Sequence, residues 1–395
     1  MRSRIEIAFL CSLRILRVLC RKNLPQSTPK NVHFFSSLRY IRGVLFIYVL
    51  TVFTSMNSRD RVLTALNHQT PDRVPRNFWA EPPTWNRLFQ HVGHENKERL
   101  LTDMEIDIRS LEVQGPLDKQ VSNGVFQNFW GEQYVYQSTP WGPMREDIPG
   151  ALAEATTFDD LLHFPWSSPD EFDYSSLPEQ CQRWNDYALL YGFADIWERP
   201  ALVRGLQNMF IDMVDRPDWV HFLSRKFTDF YKEDYTRAAE TTKGRIDLFL
   251  LISDLGSQRG PLISKRMFRE FVAPYIKEMC DLIHELGAKV LFHSCGSIRP
   301  LIPDLIELGV DILDPIQPVC DMTPETLKSE FGKKLCFHGG IDMQRLLPQG
   351  TPEEVRAEAG RYERVLGKDG GYILAPAHLF QPDVPPENVF AVYQG

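Results

Sequence analysis

Short apolar runs alternate with amphipathic segments along most of the chain. At the start of this pattern, Ser58 is predicted to cap a helix with Val62 and Leu66 on its apolar face. The short apolar runs are typical of buried parallel strands. We predict eight of them, at residues 74–80, 106–113, 187–194, 246–252, 289–293, 310–314, 334–338 and 371–375.

Helical periodicity follows most of these runs. Apolar residues recur at three- and four-residue spacing within 264–286, 298–308 and 351–366, and a proline suited to the first helical position follows Thr351. Alternating strands and helices are the signature of repeated βα units. The sequence therefore favours a closed (β/α)8 TIM barrel over an open sheet.

The segment 123–147 interrupts this alternation. It holds six aromatic residues among glycines and polar residues, a composition that favours strands. We predict a β-hairpin inserted after the second strand. The hairpin would either form part of a lid over the barrel mouth or only cover apolar surface.

The composition is that of a globular protein with one large core. Of the 395 residues, 43% are hydrophobic and 24% are charged. One barrel of roughly 250 to 350 residues with extra segments accounts for this length. The seven cysteines are scattered without paired spacing, which disfavours a disulfide scaffold. We expect a reducing compartment and a cytoplasmic protein.

The charge is distributed unevenly along the chain. Residues 1–55 carry nine Lys or Arg against one acid, a local balance of +8, so that 56–395 carry −16 of the total of −8. An acidic body argues against nucleic acid as a partner.

The basic segment 1–55 contains an apolar run of eleven residues, 43–53, whereas a membrane-spanning helix needs about 20. We interpret 1–55 as an extension outside the fold, with Met56 as a candidate true start and 56–395 as the barrel. The alternative is a targeting segment, through which alone we expect any membrane contact.

The most specific chemical signal is the pair His293 and Cys295. His293 ends the strand 289–293, and Cys295 follows two residues later, so both side chains point to the same side at the carboxyl end of the strand. Barrel active sites lie at that end. Nitrogen and sulfur donors of this kind bind zinc, together with a third protein ligand. The alternative is a buried cysteine beside a hydrogen-bonded histidine.

Candidate residues also follow two other strands. His378 lies just past 371–375 and is a candidate ligand or catalytic residue, or else a loop residue held by a hydrogen bond. Asp254 follows 246–252 in a glycine-containing turn, where Asp254 and Gln258 are candidate contacts for a polar substrate group. Asp254 would otherwise cap the turn.

Two glycines and an acid follow the strand 334–338. Gly339 and Gly340 would let the backbone approach a ligand closely. Asp342 is a candidate substrate contact and could equally cap the following helix.

Four segments resemble the uroporphyrinogen decarboxylase superfamily in identity and order. The helix that carries Arg59, Val62 and Leu66 is similar as well, so that the resemblance extends over residues 57–394 and implies a TIM barrel. The superfamily also contains zinc-dependent methylcobamide:coenzyme M methyltransferases. The four segments are DLGSQRGP at 254–261, FHSCGS at 292–297, GGID at 339–342 and HLFQPDVPPENV at 378–389.

The chain departs from the decarboxylase pattern at two places. Decarboxylases carry an Arg-x-x-Gly-Arg-Tyr motif after the first strand that grips substrate carboxylates, and the matching stretch here, 76–81, keeps only Arg76. The resemblance therefore implies that Arg76 contacts substrate. Decarboxylases also lack the His-x-Cys pair, which the methyltransferase branch carries with a later cysteine as third zinc ligand. That later position matches His378, and the implied zinc shell is His293, Cys295 and His378.

Our main hypothesis is zinc-assisted methyl transfer. The methyl acceptor would be a thiol or a similar small molecule, and a corrinoid would carry the methyl group. A corrinoid protein would be a partner. Asp254 and His378 would be the catalytic residues. The main alternative is cofactor-free decarboxylation of uroporphyrinogen III in porphyrin biosynthesis, with Asp254, Arg76 and His378 acting on substrate. A non-catalytic barrel that binds a tetrapyrrole or corrinoid is the third hypothesis.

Overall fold

The structure, a computed structural model, describes residues 56–318 and 322–394. Its strands are short and lie throughout this part of the chain. They are β1 Ile108–Ser110, β2 Lys119–Ser122, β3 Val125–Gln127, β4 Gln133–Thr139, β5 Gly142–Ile148, β6 Ala188–Asp195, β7 Leu248–Ile252, β8 Gly256–Ser257, β9 Gly260–Pro261, β10 Lys289–His293, β11 Ile312–Asp314, β12 Cys336–His338 and β13 Tyr372–Ile373.

Helices follow most strands of the predicted barrel. Two single turns of 3-10 helix lie at Pro169–Glu171 and Arg299–Leu301. The α-helices are α1 Ser58–Leu66, α2 Pro82–Val92, α3 Lys97–Asp103, α4 Phe158–Leu162, α5 Leu177–Arg183, α6 Glu198–Arg204, α7 Leu206–Asp215, α8 Pro217–Thr241, α9 Lys265–Phe271, α10 Ala273–Glu285, α11 Ile302–Leu308, α12 Pro324–Phe331, α13 Leu346–Gln349, α14 Pro352–Leu366 and α15 Pro386–Val392.

Seven strands form one parallel sheet in the order β1-β6-β7-β10-β11-β12-β13. They correspond to seven of the predicted strands. The remaining one, 74–80, forms isolated bridges, among them the pairing of Arg76 with Leu374 just after β13. The amide of Asp107, just before β1, donates a hydrogen bond to the carbonyl of Arg76 (2.9 Å). The segment thus connects the last strand to the first, and the fold is a curled, TIM-barrel-like α/β sheet.

The inside of the curled sheet has its own apolar cluster. Leu248, Ile252 and Leu291 belong to it, whereas the larger core lies between the sheet and the surrounding helices. Helix α1 adds Val62 and Leu66 to the inner cluster. Its backbone hydrogen bonds reach residues that precede β6 and β13, so α1 covers the amino-terminal ends of the strands. The carboxyl ends form the opposite face, the mouth.

Three local features differ from the sequence prediction. The cap of α1 is Asn57 rather than Ser58, because the Asn57 side chain accepts the amide hydrogen of Asp60. The predicted helix 264–286 is divided into α9 and α10 at Val272, since Pro274 cannot donate a helical hydrogen bond. Where one hairpin is predicted, β2–β5 form a four-stranded antiparallel sheet.

Residues Met56–Gly395 form one compact unit. The predicted extension 1–55, with its apolar run 43–53, lies outside the described residues and stays a prediction. Among the helices that the structure describes, none has the length and apolar character that a membrane span needs.

Candidate metal centre at the barrel mouth

Polar side chains from neighbouring strands share one layer at the mouth. His293 of β10 pairs with Ile252 of β7 on one side and with Asp314 of β11 on the other. Ile252 faces the inside of the sheet. Because paired residues of adjacent strands point to the same face, His293 and Asp314 also face the inside.

The structure brings His293, Cys295 and His378 together. Their ligand atoms all lie within 4.8 Å of one another. Sγ of Cys295 is 3.5 Å from Nε2 of His293, and the imidazole rings of His293 and His378 have centroids 5.7 Å apart. The three residues that the sequence selected from two distant segments therefore form one group.

Asp254 borders this group. Its Oδ1 accepts the amide hydrogen of Cys295 (2.8 Å) and lies 3.7 Å from Nε2 of His293. The Asp254 side chain is 28% exposed, so it supports the Cys295 loop and still reaches the space in front of it.

Asp314 orients the histidines, and the sequence prediction missed it. Its two oxygens lie 2.5 Å from Nδ1 of His293 and 2.5 Å from Nδ1 of His338. The amide nitrogen of Asn77 lies 2.9 Å from Nε2 of the fully buried His338. The signal was present, because Asp314 and His338 each end an apolar strand in the same way as His293 does.

Gln317 is a second residue that the prediction missed. Its Nε2 lies 3.8 Å from Sγ of Cys295, and its Oε1 accepts the amide hydrogen of Gly296 (2.7 Å). The polar Gln317 side chain thus holds the loop and donates toward the sulfur. No strand periodicity marks this residue.

The charges of the site explain its protonation. Burial would raise the pKa of Asp314, but the imidazoles of His338 and His293 hold it well below its usual range. Burial opposes the charged form of His293, yet the carboxylate of Asp314 raises its pKa well above the ordinary value. Burial and the neighbouring His293 lower the pKa of His378, which favours the neutral imidazole that a metal needs.

Two opposing effects act on the thiol of Cys295, and burial is the larger, so its pKa is raised. Burial raises its pKa, whereas its hydrogen bond to His293 favours the thiolate. A metal ligand must be the thiolate, so His293 assists Cys295 as well as lying beside it.

The separation of the Cys295 and His293 donor atoms suits zinc, and the donor atom of His378 lies within 4.8 Å of both. Tetrahedral zinc with bonds of 2.0–2.3 Å holds its ligand atoms roughly 3.5 Å apart, and the 3.5 Å between Cys295 and His293 matches this. Asp314 occupies Nδ1 of His293 and leaves Nε2 directed at Cys295, the arrangement common for metal-binding histidines.

Arg76 is not brought to this site, and its predicted substrate contact stays a prediction. Its guanidinium lies 2.8 Å from the carboxylate of Glu105, which precedes β1 at the amino-terminal side of the sheet. Its neighbours Asn77 and Trp79 contact the inner His338. Because successive strand residues face opposite sides, Arg76 faces outward.

Asp342 and the two glycines have roles in the fold, and their predicted substrate contacts stay predictions. Asp342 accepts the amide hydrogens of Gln344 and Leu346 at the start of α13. It therefore caps this helix, as one of the two sequence interpretations predicted. Gly339 and Gly340 have positive φ, and a Cβ there would lie 2.6 Å from the Pro376 carbonyl and 2.4 Å from Tyr362, respectively. The glycines therefore allow close packing within the protein. Gln258 is exposed in the β8–β9 turn, and its substrate contact stays a prediction.

A cavity of about 560 Å³ lies next to the segment 77–80 and the end of β1. It is bordered by Trp79, Trp85 of α2 and Trp184 of α5, and Leu379 next to His378 also lines it. Its wall also includes residues of 77–80 and 108–112.

Comparison with known proteins supports the family resemblance. The family model described as Uroporphyrinogen decarboxylase (URO-D) matches residues 200–394. A uroporphyrinogen decarboxylase of Chlorobium phaeovibrioides is 24% identical over 180 residues, 44% of this chain and 47% of that protein. A methylated-thiol--coenzyme M methyltransferase of Methanosarcina mazei is 28% identical over 154 residues, 39% of this chain and 38% of that protein. The chain thus matches less than half the length of these curated relatives.

A solved structure has a similar fold over most of the chain. The methyltransferase from Methanosarcina mazei superposes with a TM-score of 0.57 over 86% of this chain and 97% of that one, at 17% sequence identity. At this identity the likeness shows the fold alone. It agrees with the TIM-barrel-like sheet described above.

Proposed function

Because the chain belongs to the uroporphyrinogen decarboxylase superfamily through residues 200–394, we propose that it is an enzyme that catalyses zinc-assisted methyl transfer to a small thiol at the barrel mouth. His293, Cys295 and His378 would hold the zinc. The observation that carries this proposal is the convergence of these three ligand atoms within 4.8 Å. A corrinoid, bound directly or on a partner protein, would carry the methyl group.

When bound at such a site, zinc lowers the pKa of a thiol so that the nucleophilic thiolate exists at neutral pH. The chain's own residues prepare this chemistry. Asp314 fixes the ring of His293 through Nδ1, and Gln317 directs an N–H at the sulfur of Cys295. Asp254 would orient the substrate from the edge of the site, since its side chain remains partly exposed.

Metal analysis of the purified protein tests the proposal. We expect about one zinc per chain in the wild type and loss of zinc in Cys295→Ala and His378→Ala. Cys181→Ala and His163→Ala are matched controls, because Cys181 lies in α5 and His163 is exposed at the end of α4. Absence of zinc from the wild type, or unchanged zinc in Cys295→Ala, would overturn the proposal.

Uroporphyrinogen decarboxylation is the second candidate function, because a relative from Chlorobium phaeovibrioides is a uroporphyrinogen decarboxylase. The outward direction of Arg76 weighs against it, because the arginine that the resemblance assigns to substrate carboxylates pairs with Glu105 instead. Incubation with uroporphyrinogen III and chromatography of the products separates the two candidates. Products with fewer carboxyl groups would favour decarboxylation over methyl transfer.

A further inference from the structure

Strand β6 contains a bulge just before it reaches the mouth. Tyr191 pairs with Phe249 of β7, but Ala194 pairs with Leu251, so β6 has one extra residue over this stretch. The bulge includes Gly192 at φ +89°, where a Cβ would lie 2.4 Å from Tyr235. A side chain at this position is therefore both strained and blocked.

The hydroxyl of Tyr235 stabilises the bulge. It accepts the amide hydrogen of Ala194 (3.0 Å) and donates to the carbonyl of Leu250 on β7. These two bonds replace the ladder bonds that the extra residue disrupts. Tyr235 on α8 is fully buried, so the bulge is part of the packed structure.

The bulge decides which way Asp195 faces. Tyr191 belongs to the outer core. Side chains alternate along a strand, so without the extra residue Asp195, four positions later, would also point outward to the helices. With the bulge, Asp195 pairs with Ile252, which faces the inside and also pairs with His293. Asp195 and His293 therefore lie in one layer, two strands or roughly 10 Å apart.

Glu198 lies next to Asp195 at the start of α6. Its amide donates to Oδ1 of Asp195 (2.8 Å). The Glu198 side chain is half-buried, and within the described residues no hydrogen bond or ion pair involves its carboxyl group. The charges that act on it are those of Asp195, Asp254, His293 and Arg199.

Two buried donors in this region also have unused hydrogen-bonding capacity. Nε of Arg199 and the hydroxyl of Tyr231 form no hydrogen bond of normal geometry within the described part of the chain. Tyr231 is only 5% exposed, and its hydroxyl lies near the backbone of Asp195. The other end of Arg199 is held by Glu132 (3.0 Å). Buried polar groups normally have partners, so Nε of Arg199 could donate to a polar group bound in this region.

Burial and mutual repulsion change the acidity of the two carboxyl groups. Burial raises the pKa of Asp195 to about 7, although Arg199 opposes the shift and Glu132 adds to it. Burial and the charges of Asp195 and Asp254 raise the pKa of Glu198 to about 8. Together the pair exchanges protons in the neutral range, where a general base works best.

We propose that Asp195 and Glu198 form a carboxyl pair that accepts the proton of the thiol substrate at the barrel mouth. This inference rests on the proposed function. The S–H bond breaks and its proton passes to a carboxylate oxygen of the pair, while the sulfur electrons form the new S–CH3 bond. The bond from the methyl group to its donor breaks, and its electron pair stays on the donor. The proton then leaves the pair for solvent.

Infrared spectroscopy of the full chain tests the pair without requiring zinc or turnover. We expect a protonated-carboxyl band in the wild type that titrates with a midpoint between about 7 and 8. Glu198→Gln should abolish or shift this titration, because the remaining Asp195 loses its charged neighbour. Glu285→Gln, at the exposed end of α10, is the matched control and should keep the wild-type titration. The same titration in the wild type and in Glu198→Gln, or no band in this pH range, would overturn the proposal.

Proton release on thiol binding provides the second readout. Ethanethiol is titrated into the zinc-loaded protein by calorimetry at pH 7.5, in two buffers of different ionisation enthalpy. We expect the double variant Asp195→Asn, Glu198→Gln to release about one proton per thiol bound and the wild type to release clearly less. Equal release by both would overturn the pair as acceptor while zinc binding stands. Absence of zinc from the wild type would overturn the proposed function. The infrared titration would still show whether Asp195 and Glu198 form a coupled pair that titrates near neutral pH.

Discussion

Oδ2 of Asp314 lies 2.5 Å from Nδ1 of His293, so that the imidazole presents Nε2 to Cys295. The other oxygen of Asp314 accepts from His338, which is itself fully buried. A carboxylate held between two imidazoles has little freedom to turn. Asp314 thus fixes the orientation of the His293 ring, which the backbone pairing of β10 with β11 would not fix by itself.

Replacing Asp314 by Asn should weaken zinc binding. The amide keeps one acceptor and turns an NH2 group toward the other imidazole, so one histidine loses its partner. We expect the zinc affinity to fall about 10–100-fold, measured by competition with a chelator. Asp383→Asn in an exposed loop is the control. An unchanged affinity in Asp314→Asn would show that the ring of His293 is fixed by packing alone.

The stability of the metal-free protein should fall between pH 5 and pH 8 because of Asp195 and Glu198. Their folded pKa values, about 7 and about 8, lie above the ordinary carboxyl range. In this window the folded state therefore binds more protons than the unfolded state, and the free energy of unfolding decreases as the pH rises. Thermal melts should show that Glu198→Gln raises Tm at pH 8 more than at pH 5. An equal change in Tm at both pH values would contradict the raised pKa of Glu198.

Tyr235→Phe should destabilise the fold through the bulge. The variant leaves the amide of Ala194 and the carbonyl of Leu250 without their bridging hydroxyl in a fully buried position. We expect the free energy of unfolding to fall by about 1–3 kcal/mol, measured by urea denaturation. Tyr136→Phe, with a half-exposed side chain on β4, should remain at the wild-type value. If both variants were equally stable, the hydroxyl would not be needed to hold the bulge.

Arg76→Ala should affect stability but not the site. Its guanidinium pairs with Glu105 on the outer side of the sheet, so its loss removes packing and an ion pair. We expect the free energy of unfolding to fall by about 1–2 kcal/mol, with zinc content and the KM for thiol unchanged. A raised KM with unchanged stability would instead restore the substrate contact that the family resemblance implied.

The strand positions could be predicted because each strand is a short apolar run that the sequence shows without reference to distant residues. Runs such as 289–293 and 246–252 are apolar and short, and both became strands that end at the mouth. The rule that barrel chemistry lies at strand ends then led to His293, Asp254 and His378. The same rule led to Asp342, whose carboxylate caps the following helix in the structure.

The amino-acid sequence alone determined the order of βα units, the superfamily resemblance and the candidate zinc ligands, since each depends on local periodicity or on motifs of a few residues. Only the tertiary structure decided which side chains face the mouth. One residue of register separates inside from outside: strand parity turns Arg76 away from the site, and a single bulged residue turns Asp195 into it. Such parity depends on pairing with distant strands and on the hydroxyl of Tyr235, which no local pattern contains.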